Sequence, residues 1–253
     1  MISNLFEAVV LGASGTYPRP GAACSGFLLR CRDSNVLVDA GPGTFANLQR
    51  HTDFHDLTAV VISHLHLDHI LDLFSLYHAL RYGKDSRGPT GLEVYAPEGT
   101  EEHLRQLLKP YGEGDFGGYF DFHVIRSGDK VGIMPFVFTF KKTTHPVQTL
   151  AMSVDANGRT LVYTADTAWN DGLVAFARSA NVLIAEATLQ EPDTPASKVH
   201  MTAQEAGKLA DMAGVGRLVL THIAPGLNPM VSVEQAGEHF TKKIIAATDN
   251  YVI

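Results

Sequence analysis

Cysteine is scarce in this chain. Only Cys24 and Cys31 occur among 253 residues, with neither the tight pairs of a zinc knuckle nor the density of a disulfide scaffold, so both are read as buried, reduced thiols. Long apolar runs are also missing, since no stretch reaches the ~18 residues that a membrane-spanning helix needs. The opening Met-Ile-Ser-Asn-Leu-Phe-Glu has no basic segment followed by an apolar run and a cleavage site. A soluble, cytoplasmic protein without a membrane partner is therefore expected. Basic charge is in deficit as well: 20 Lys and Arg against 27 Asp and Glu leave a formal charge of -7. That excludes a broad basic surface able to release counterions from a nucleic-acid backbone, so nucleic acid is not the favoured partner.

What is present is a chain with 45% hydrophobic residues, enough to bury a large core. No linker divides it, and one domain spanning 1–253 is expected. Phe6 to Leu11 reads as a strand feeding the flexible turn Gly12-Ala-Ser-Gly-Thr-Tyr-Pro. Gly26 to Cys31 and Val36 to Asp39 read as a hairpin, stopped by Ala40-Gly41-Pro42-Gly43. Thr44 to Gln49 looks helical, Thr58 to Ser63 is a β-branched run, and Leu71 to Tyr82 carries apolar residues at helical spacing. Leu92 to Tyr95, Glu101 to Leu108 and a β-rich stretch from Tyr119 through Thr144 follow, with Gly112 to Gly118 as a flexible connection.

The second half repeats the theme. Leu150 to Asp155 and Thr160 to Ala165 flank the hairpin signal Asn157-Gly158, and a helix near Leu173 to Ser179 leads to a strand at Val182 to Ala185. A helix from about Thr202 to Ala213 is announced by the capping pair Thr202 and Glu205 and ended by Gly214. Strand Arg217 to Thr221 and a final helix around Val233 to Ala246 complete the chain. Hairpins precede strand-helix units in both halves, which predicts an α/β (α+β) fold: largely antiparallel sheets with helices outside, in four layers, αββα.

The chemistry concentrates at one strand-to-helix junction, Ser63-His-Leu-His-Leu-Asp-His69. His64, His66, Asp68 and His69 supply imidazoles and a hard carboxylate, the donors suited to Zn²⁺ and related divalent ions. In extended backbone His64 and His66 point to one side while Asp68 and His69 turn toward a neighbouring ion, so two adjacent sites follow. Four ligands do not complete two sites, and the remainder should stand at the ends of later strands. His145 ends the β-rich stretch Phe136 to Thr144, Asp166 follows Thr160 to Ala165, and His222 follows Leu218 to Thr221.

These residues resemble the metallo-β-lactamase superfamily, whose signature His-x-His-x-Asp-His appears as His64, His66, Asp68 and His69. The resemblance implies one metal on His64, His66 and His145, another on Asp68, His69 and His222, and Asp166 bridging both. A carboxylate at 166, where antibiotic-hydrolysing members typically have Cys, disfavours β-lactamase activity. Gly12-Ala-Ser-Gly-Thr, Asp39-Ala-Gly, Glu186-Ala-Thr, His200-Met-Thr-Ala and Leu220-Thr-His222 resemble landmarks of the ribonuclease Z group, which implies phosphodiester hydrolysis. By that resemblance His200 is the general acid and Glu186 orients it. Taken alone, His200 also fits a residue flanking a helix start, and Glu186 a strand-end charge.

The chain is shorter than typical ribonuclease Z and has no long basic insertion to grip tRNA, which favours a small phosphodiester. Ala22-Ala-Cys24-Ser-Gly and Leu76-Tyr-His-Ala-Leu-Arg-Tyr82 are similar to armless bacterial cyclic-nucleotide phosphodiesterases of this fold, and a homodimer is expected. Two close cations, Zn most readily with Mn or Fe also accepted by the donors, lower the pKa of a shared water, which Asp68 helps to orient. Asp39 either holds a ligand histidine or forms a turn. Ser14 and Thr16 either contact substrate or simply turn the chain. His51, His55, His78, His103, His123 and His239 have no ligand spacing and read as surface or packed residues. The alternatives are a tRNA 3′ endonuclease of the ribonuclease Z kind, a thioester hydrolase in the manner of glyoxalase II, and a metal-binding protein without turnover.

Overall fold

A computed structural model describes residues 6–112, 116–192 and 194–253. Residues 1–5, where the absence of a leader was read in part, and 113–115, within the expected connection 112–118, lie outside the described residues. The first half forms a six-stranded sheet in sequence order: β1 (Glu7–Gly12), β2 (Gly26–Cys31), β3 (Ser34–Val38), β4 (Ala59–Val61), β5 (Leu92–Ala96) and β6 (Phe120–Val124). The second forms a seven-stranded sheet from β7 (Lys130–Ile133), β8 (Phe136–Lys142), β9 (Leu150–Ala156), β10 (Arg159–Tyr163), β11 (Val182–Glu186), β12 (Arg217–Thr221) and β13 (Lys243–Ala246), also in sequence order. The β-rich stretch 119–144 thus spans the boundary between sheets.

Both halves begin antiparallel, through β1-β2-β3 and β7-β8-β9-β10. Both then switch to parallel, through β3-β4-β5-β6 and β10-β11-β12-β13. The expectation of largely antiparallel sheets is corrected here. The hairpin signals dominate the sequence, but each half ends in strand-helix-strand crossovers, which leave neighbouring strands parallel.

Alternation along the strands builds three cores. Val10, Phe27, Val36 and Val61 meet Phe138, Met152, Tyr163 and Ile184 between the sheets. Val9, Leu28 and Val60 face outward under α3 (Asp72–Tyr82) and α4 (Thr100–Leu108), whose Leu73, Leu76, Tyr77 and Leu104 cover them. Val162, Leu183 and Leu218 do the same under α6 (Ala203–Ala213), through Ala206, Leu209 and Ala210. The result is the four-layer αββα arrangement. Cys24 and Cys31 are buried and not joined in a disulfide, and burial, with Asp68 nearby, pushes the Cys24 thiol up to about 12. Among the described residues no helix is long and apolar enough to cross a membrane.

The expected capping box is present: the Thr202 hydroxyl accepts from Glu205 N–H at 3.1 Å, Glu205 returns to Thr202 N–H at 2.8 Å, and Gly214 closes the helix at φ 66°. The expected final helix Val233 to Ala246 is instead a shorter helix, α7 (Pro229–Gly237), followed by β13. Asn228 caps α7 by accepting from Met230 N–H at 3.0 Å, with Pro229 at the first position. Ile244 and Ile245 then join the sheet beside Leu218 and Val219, a β-branched pair where the helical reading had placed a turn. Past β13 the chain crosses to the other sheet. Val10 N–H donates to Tyr251 O at 2.9 Å and Ile253 N–H to Ala8 O at 2.8 Å, so the C-terminal segment covers the edge of β1.

α6 and α7 cross where Gly207 lets them touch, since a Cβ there would lie 2.3 Å from Ala236 O. Gly207→Ala gains about 1 kcal/mol of helix propensity but forces a backbone clash costing about 1–3 kcal/mol or more. The clash should win, because a carbonyl in a neighbouring helix does not rotate away. The variant is expected to unfold at lower urea than wild type by about 1–2 kcal/mol; an unchanged midpoint would show that the helices part freely.

Candidate metal centre

The site residues leave the sheets by one edge. β8 and β10 are both antiparallel to β9, so β8, β10, β11 and β12 all point the same way. His145, Asp166 and His222 follow β8, β10 and β12, and Glu186 ends β11. On the other sheet Asp39 follows β3, Ser63 and His64 follow β4, and α2 (Leu67–Ile70) carries Asp68 and His69. Ligands gather where parallel strands end in this way. Tight turns aim the side chains: Asp39, Ala165 and His222 have φ of 55°, 50° and 54°, and Thr16 has 63°. Positive φ is uncommon for non-glycine residues and collects at functional sites.

All seven expected ligand residues come together. The Asp166 carboxylate stands at the centre, 3.4 Å from His69 Nε2 through Oδ1, and 3.6, 3.9 and 3.4 Å from the Nε2 atoms of His64, His145 and His222 through Oδ2. His66 Nδ1 lies 3.1 Å from His145 Nε2, and Asp68 Oδ2 lies 3.1 Å from His222 Nε2. One group of donors is His64, His66, His145 and Asp166; another is Asp68, His69 and His222. Donors about 2.0–2.1 Å from a tetrahedral zinc stand about 3.3–3.4 Å apart, which lies within the 3.1–3.9 Å of these contacts. His64 Nε2, His69 Nε2 and Asp166 Oδ1 are buried with no hydrogen-bond partner. Unpartnered buried polar atoms are rare, and these three face the space between the donors, so the residues fit metal ions.

The far nitrogen of four of the five rings is occupied, which decides their tautomers. His69 Nδ1–H donates to Asp39 Oδ2 at 2.8 Å. His64 Nδ1–H donates to Ser63 Oγ at 2.9 Å, and that hydroxyl donates to Asp39 Oδ2 at 2.8 Å. His145 Nδ1–H donates to Val199 O at 3.0 Å. His222 Nδ1–H donates to Thr188 Oγ1 at 2.9 Å, and Thr188 donates to Glu186 Oε2 at 2.6 Å. Each of these rings thus presents a bare Nε2. Asp39 is the partner of a ligand histidine, which resolves its two readings. Ser63, Thr188 and the Val199 carbonyl were not anticipated, because a hydroxyl or carbonyl beside a ligand has no spacing signature.

The glycine loop brings backbone atoms to the donor cluster. Thr16 N–H donates to Asp68 Oδ2 at 2.9 Å, and a Cβ on Gly15 would meet His222 O at 2.7 Å and Nδ1 at 2.9 Å. His200 sits beside the cluster with its Nδ1–H on Glu186 Oε1 at 2.9 Å. Glu186 is fully buried and also accepts from Thr167 N–H at 2.7 Å. Burial lowers the proton affinity of His200, but the hydrogen bond and charge of Glu186 outweigh it and raise the pKa above the ordinary value. Among the other histidines, His123 pairs with Glu93 at 2.7 Å on an exposed sheet edge, and His51 and His55 bond Asn250 and Asp53.

Metal removal gives a direct check. Imidazole binds metal only when neutral, so acid competes with the ions. Zinc added at about 100 times its Kd to chelator-stripped protein should stabilise the fold by about 2.7 kcal/mol. The gain in melting temperature should be larger at pH 8 than at pH 6. A melting curve indifferent to zinc at both would contradict the fit.

Residues 34–223 match the family model described as a beta-lactamase superfamily domain. The probable metallo-hydrolase YhfI of Bacillus subtilis is 34% identical over 219 residues, 86% of each chain. The crystal structure of that metallo-β-lactamase fold protein superposes with a TM-score of 0.89, at 29% identity over 98% of both chains. Ribonuclease Z of Archaeoglobus fulgidus is 26% identical across 96% of this chain and 95% of its own. The short form of human tRNase Z superposes with a TM-score of 0.78, at 25% identity over 98% of both chains. The His-x-His-x-Asp-His run, the αββα layers and these matches agree: the chain belongs to the metallo-β-lactamase superfamily.

Proposed function

We propose that this protein is a dinuclear metal-dependent hydrolase that cleaves a small phosphodiester such as a cyclic nucleotide. The observation that carries this reading is His200, held by buried Glu186 at 2.9 Å beside the donor cluster, with its side chain 16% exposed. His200 also lies close enough to Asp166 and His222 to act as a ligand. Asp166 and His222 already belong to the two donor groups above, and Glu186, which raises the pKa of His200, suits the ring to carry a proton.

In this reading His64, His66 and His145 would hold one ion and Asp68, His69 and His222 a second, with Asp166 placed among both groups of donors. Bound there, divalent cations supply a nucleophile at neutral pH by lowering the pKa of a water, and they offset charge on the phosphoryl oxygens. Asp68, fixed by Thr16 N–H, orients the water. His200 gives its proton to the leaving alkoxide while Glu186 holds the ring's orientation and stabilises its charge. A diester asks for such a donor, because an alkoxide leaves poorly unprotonated.

What the chain lacks bears on the size of its substrate. Its alignment with the archaeal ribonuclease Z runs over 297 positions, more than its own 253 residues, so that relative carries segments with no counterpart here. With a formal charge of -7, little attraction for a polyanion is left. The relatives named ribonuclease Z make tRNA 3′ cleavage the second reading.

Zinc-loaded His200→Ala is expected to keep its metal content, by elemental analysis, and to lose about 10²–10⁴-fold in turnover of a cyclic nucleotide and of bis-p-nitrophenyl phosphate. The smaller loss should be on the nitrophenyl ester, whose leaving group needs less help. Undiminished turnover in the variant would remove His200 from the role, and wild-type cleavage of precursor tRNA in preference to cyclic nucleotides would promote the second reading.

A further inference from the structure

Thr188 stands where two histidines of the site meet Glu186. Its hydroxyl lies 2.9 Å from His222 Nδ1, 2.6 Å from Glu186 Oε2 and 3.3 Å from His200 Nδ1. A hydroxyl has one proton to give. The short contact to a fully buried carboxylate claims that proton, so the oxygen accepts from a ring N–H. Glu186 Oε1 is already taken by His200 Nδ1–H and Thr167 N–H, which leaves His222 Nδ1–H as the donor to Thr188.

We infer that Thr188 is a positioning residue: its hydroxyl fixes His222 in the Nδ1–H tautomer and reserves one oxygen of Glu186 for His200. A single carboxylate thereby serves a metal ligand on one oxygen and the proton donor on the other. Without the hydroxyl, His222 has no acceptor at Nδ1 and is free to carry its proton on Nε2, the nitrogen facing Asp68 and Asp166. The first half of the chain repeats the device, with Asp39 serving His69 directly and His64 through Ser63. The recurrence on an independent set of residues argues that the geometry is functional and not incidental.

The inference rests on the reading of the cluster as a metal centre and is independent of the phosphodiester substrate. Its test compares Thr188→Val, which keeps the shape and removes the hydroxyl, with Thr188→Ser, which restores it. In zinc competition against a chromophoric chelator, the valine variant is expected to hold one ion about 10–100-fold more weakly, and the serine variant to recover wild-type binding. Long-range ¹⁵N spectra of the metal-free protein at alkaline pH add a readout that a structural role would not move. His222 should carry its proton on Nδ1 in wild type and the serine variant but not in the valine variant, while His145, held by Val199 O, stays unchanged. Equal zinc affinity in wild type and the valine variant would overturn the inference. If the valine variant does not fold, the wild-type spectrum decides: an Nε2–H tautomer at His222 overturns it and an Nδ1–H tautomer supports it.

Discussion

The buried carboxylate of Asp39 is the contact on which the site and the join between sheets both depend. It is fully enclosed and accepts four hydrogen bonds: Ser63 N–H at 2.7 Å, Ser63 Oγ–H at 2.8 Å, His69 Nδ1–H at 2.8 Å and Tyr163 Oη–H at 3.1 Å. Burial, with Asp39 beside it, pushes the Tyr163 hydroxyl well above its ordinary range, so it stays a donor. An ionised group in a core is affordable only when its lone pairs are met in this way, and removing one partner of such a set costs about 3–5 kcal/mol. Tyr163 comes from the second sheet and the other donors from the first. The carboxylate is thus a polar peg through an otherwise apolar sandwich.

Glu186 is its counterpart in the second half, also fully buried and also saturated by backbone, hydroxyl and imidazole donors. The two differ in what they serve. Asp39 faces two ligand histidines, whereas Glu186 faces one ligand and His200. The second half thus joins the donor cluster and His200 through one carboxylate, by way of Thr188 on one oxygen and directly on the other. Asp39 instead reaches histidines of the cluster, directly and through Ser63, and Tyr163.

How much of this could be read from residues follows from how local each feature is. His64, His66, Asp68 and His69 are close together in sequence, and His145, Asp166 and His222 each follow an apolar run, so the candidate donors were legible before their convergence was. The αββα layers were visible for a similar reason, since hairpins and strand-helix units each leave a periodic trace. Strand direction was not, because the hairpin Asn157-Gly158 signals itself and a crossover does not. β13 was missed because four residues after a helix carry too little pattern to be separated from it. Ser63, Thr188 and Tyr163 are common residue types, and the contacts that give them their roles include partners up to 124 positions away. At Gly15 and Thr16 the useful atoms are a missing Cβ and a backbone N–H, and neither is written in a side chain.

The left-handed turns at Asp39, Ala165 and His222 have a consequence for how the chain comes into being. Each is a strained step that only its finished sheet holds in place. During synthesis the run at residues 64–69 emerges long before Asp166 and longer still before His222, so a growing chain offers imidazoles but no closed cage. Domains fold largely as units on the way out of the ribosome. The full set of donors is therefore assembled only when the last parallel strands dock, and until then the chain offers the imidazoles of residues 64–69 without the central carboxylate of Asp166.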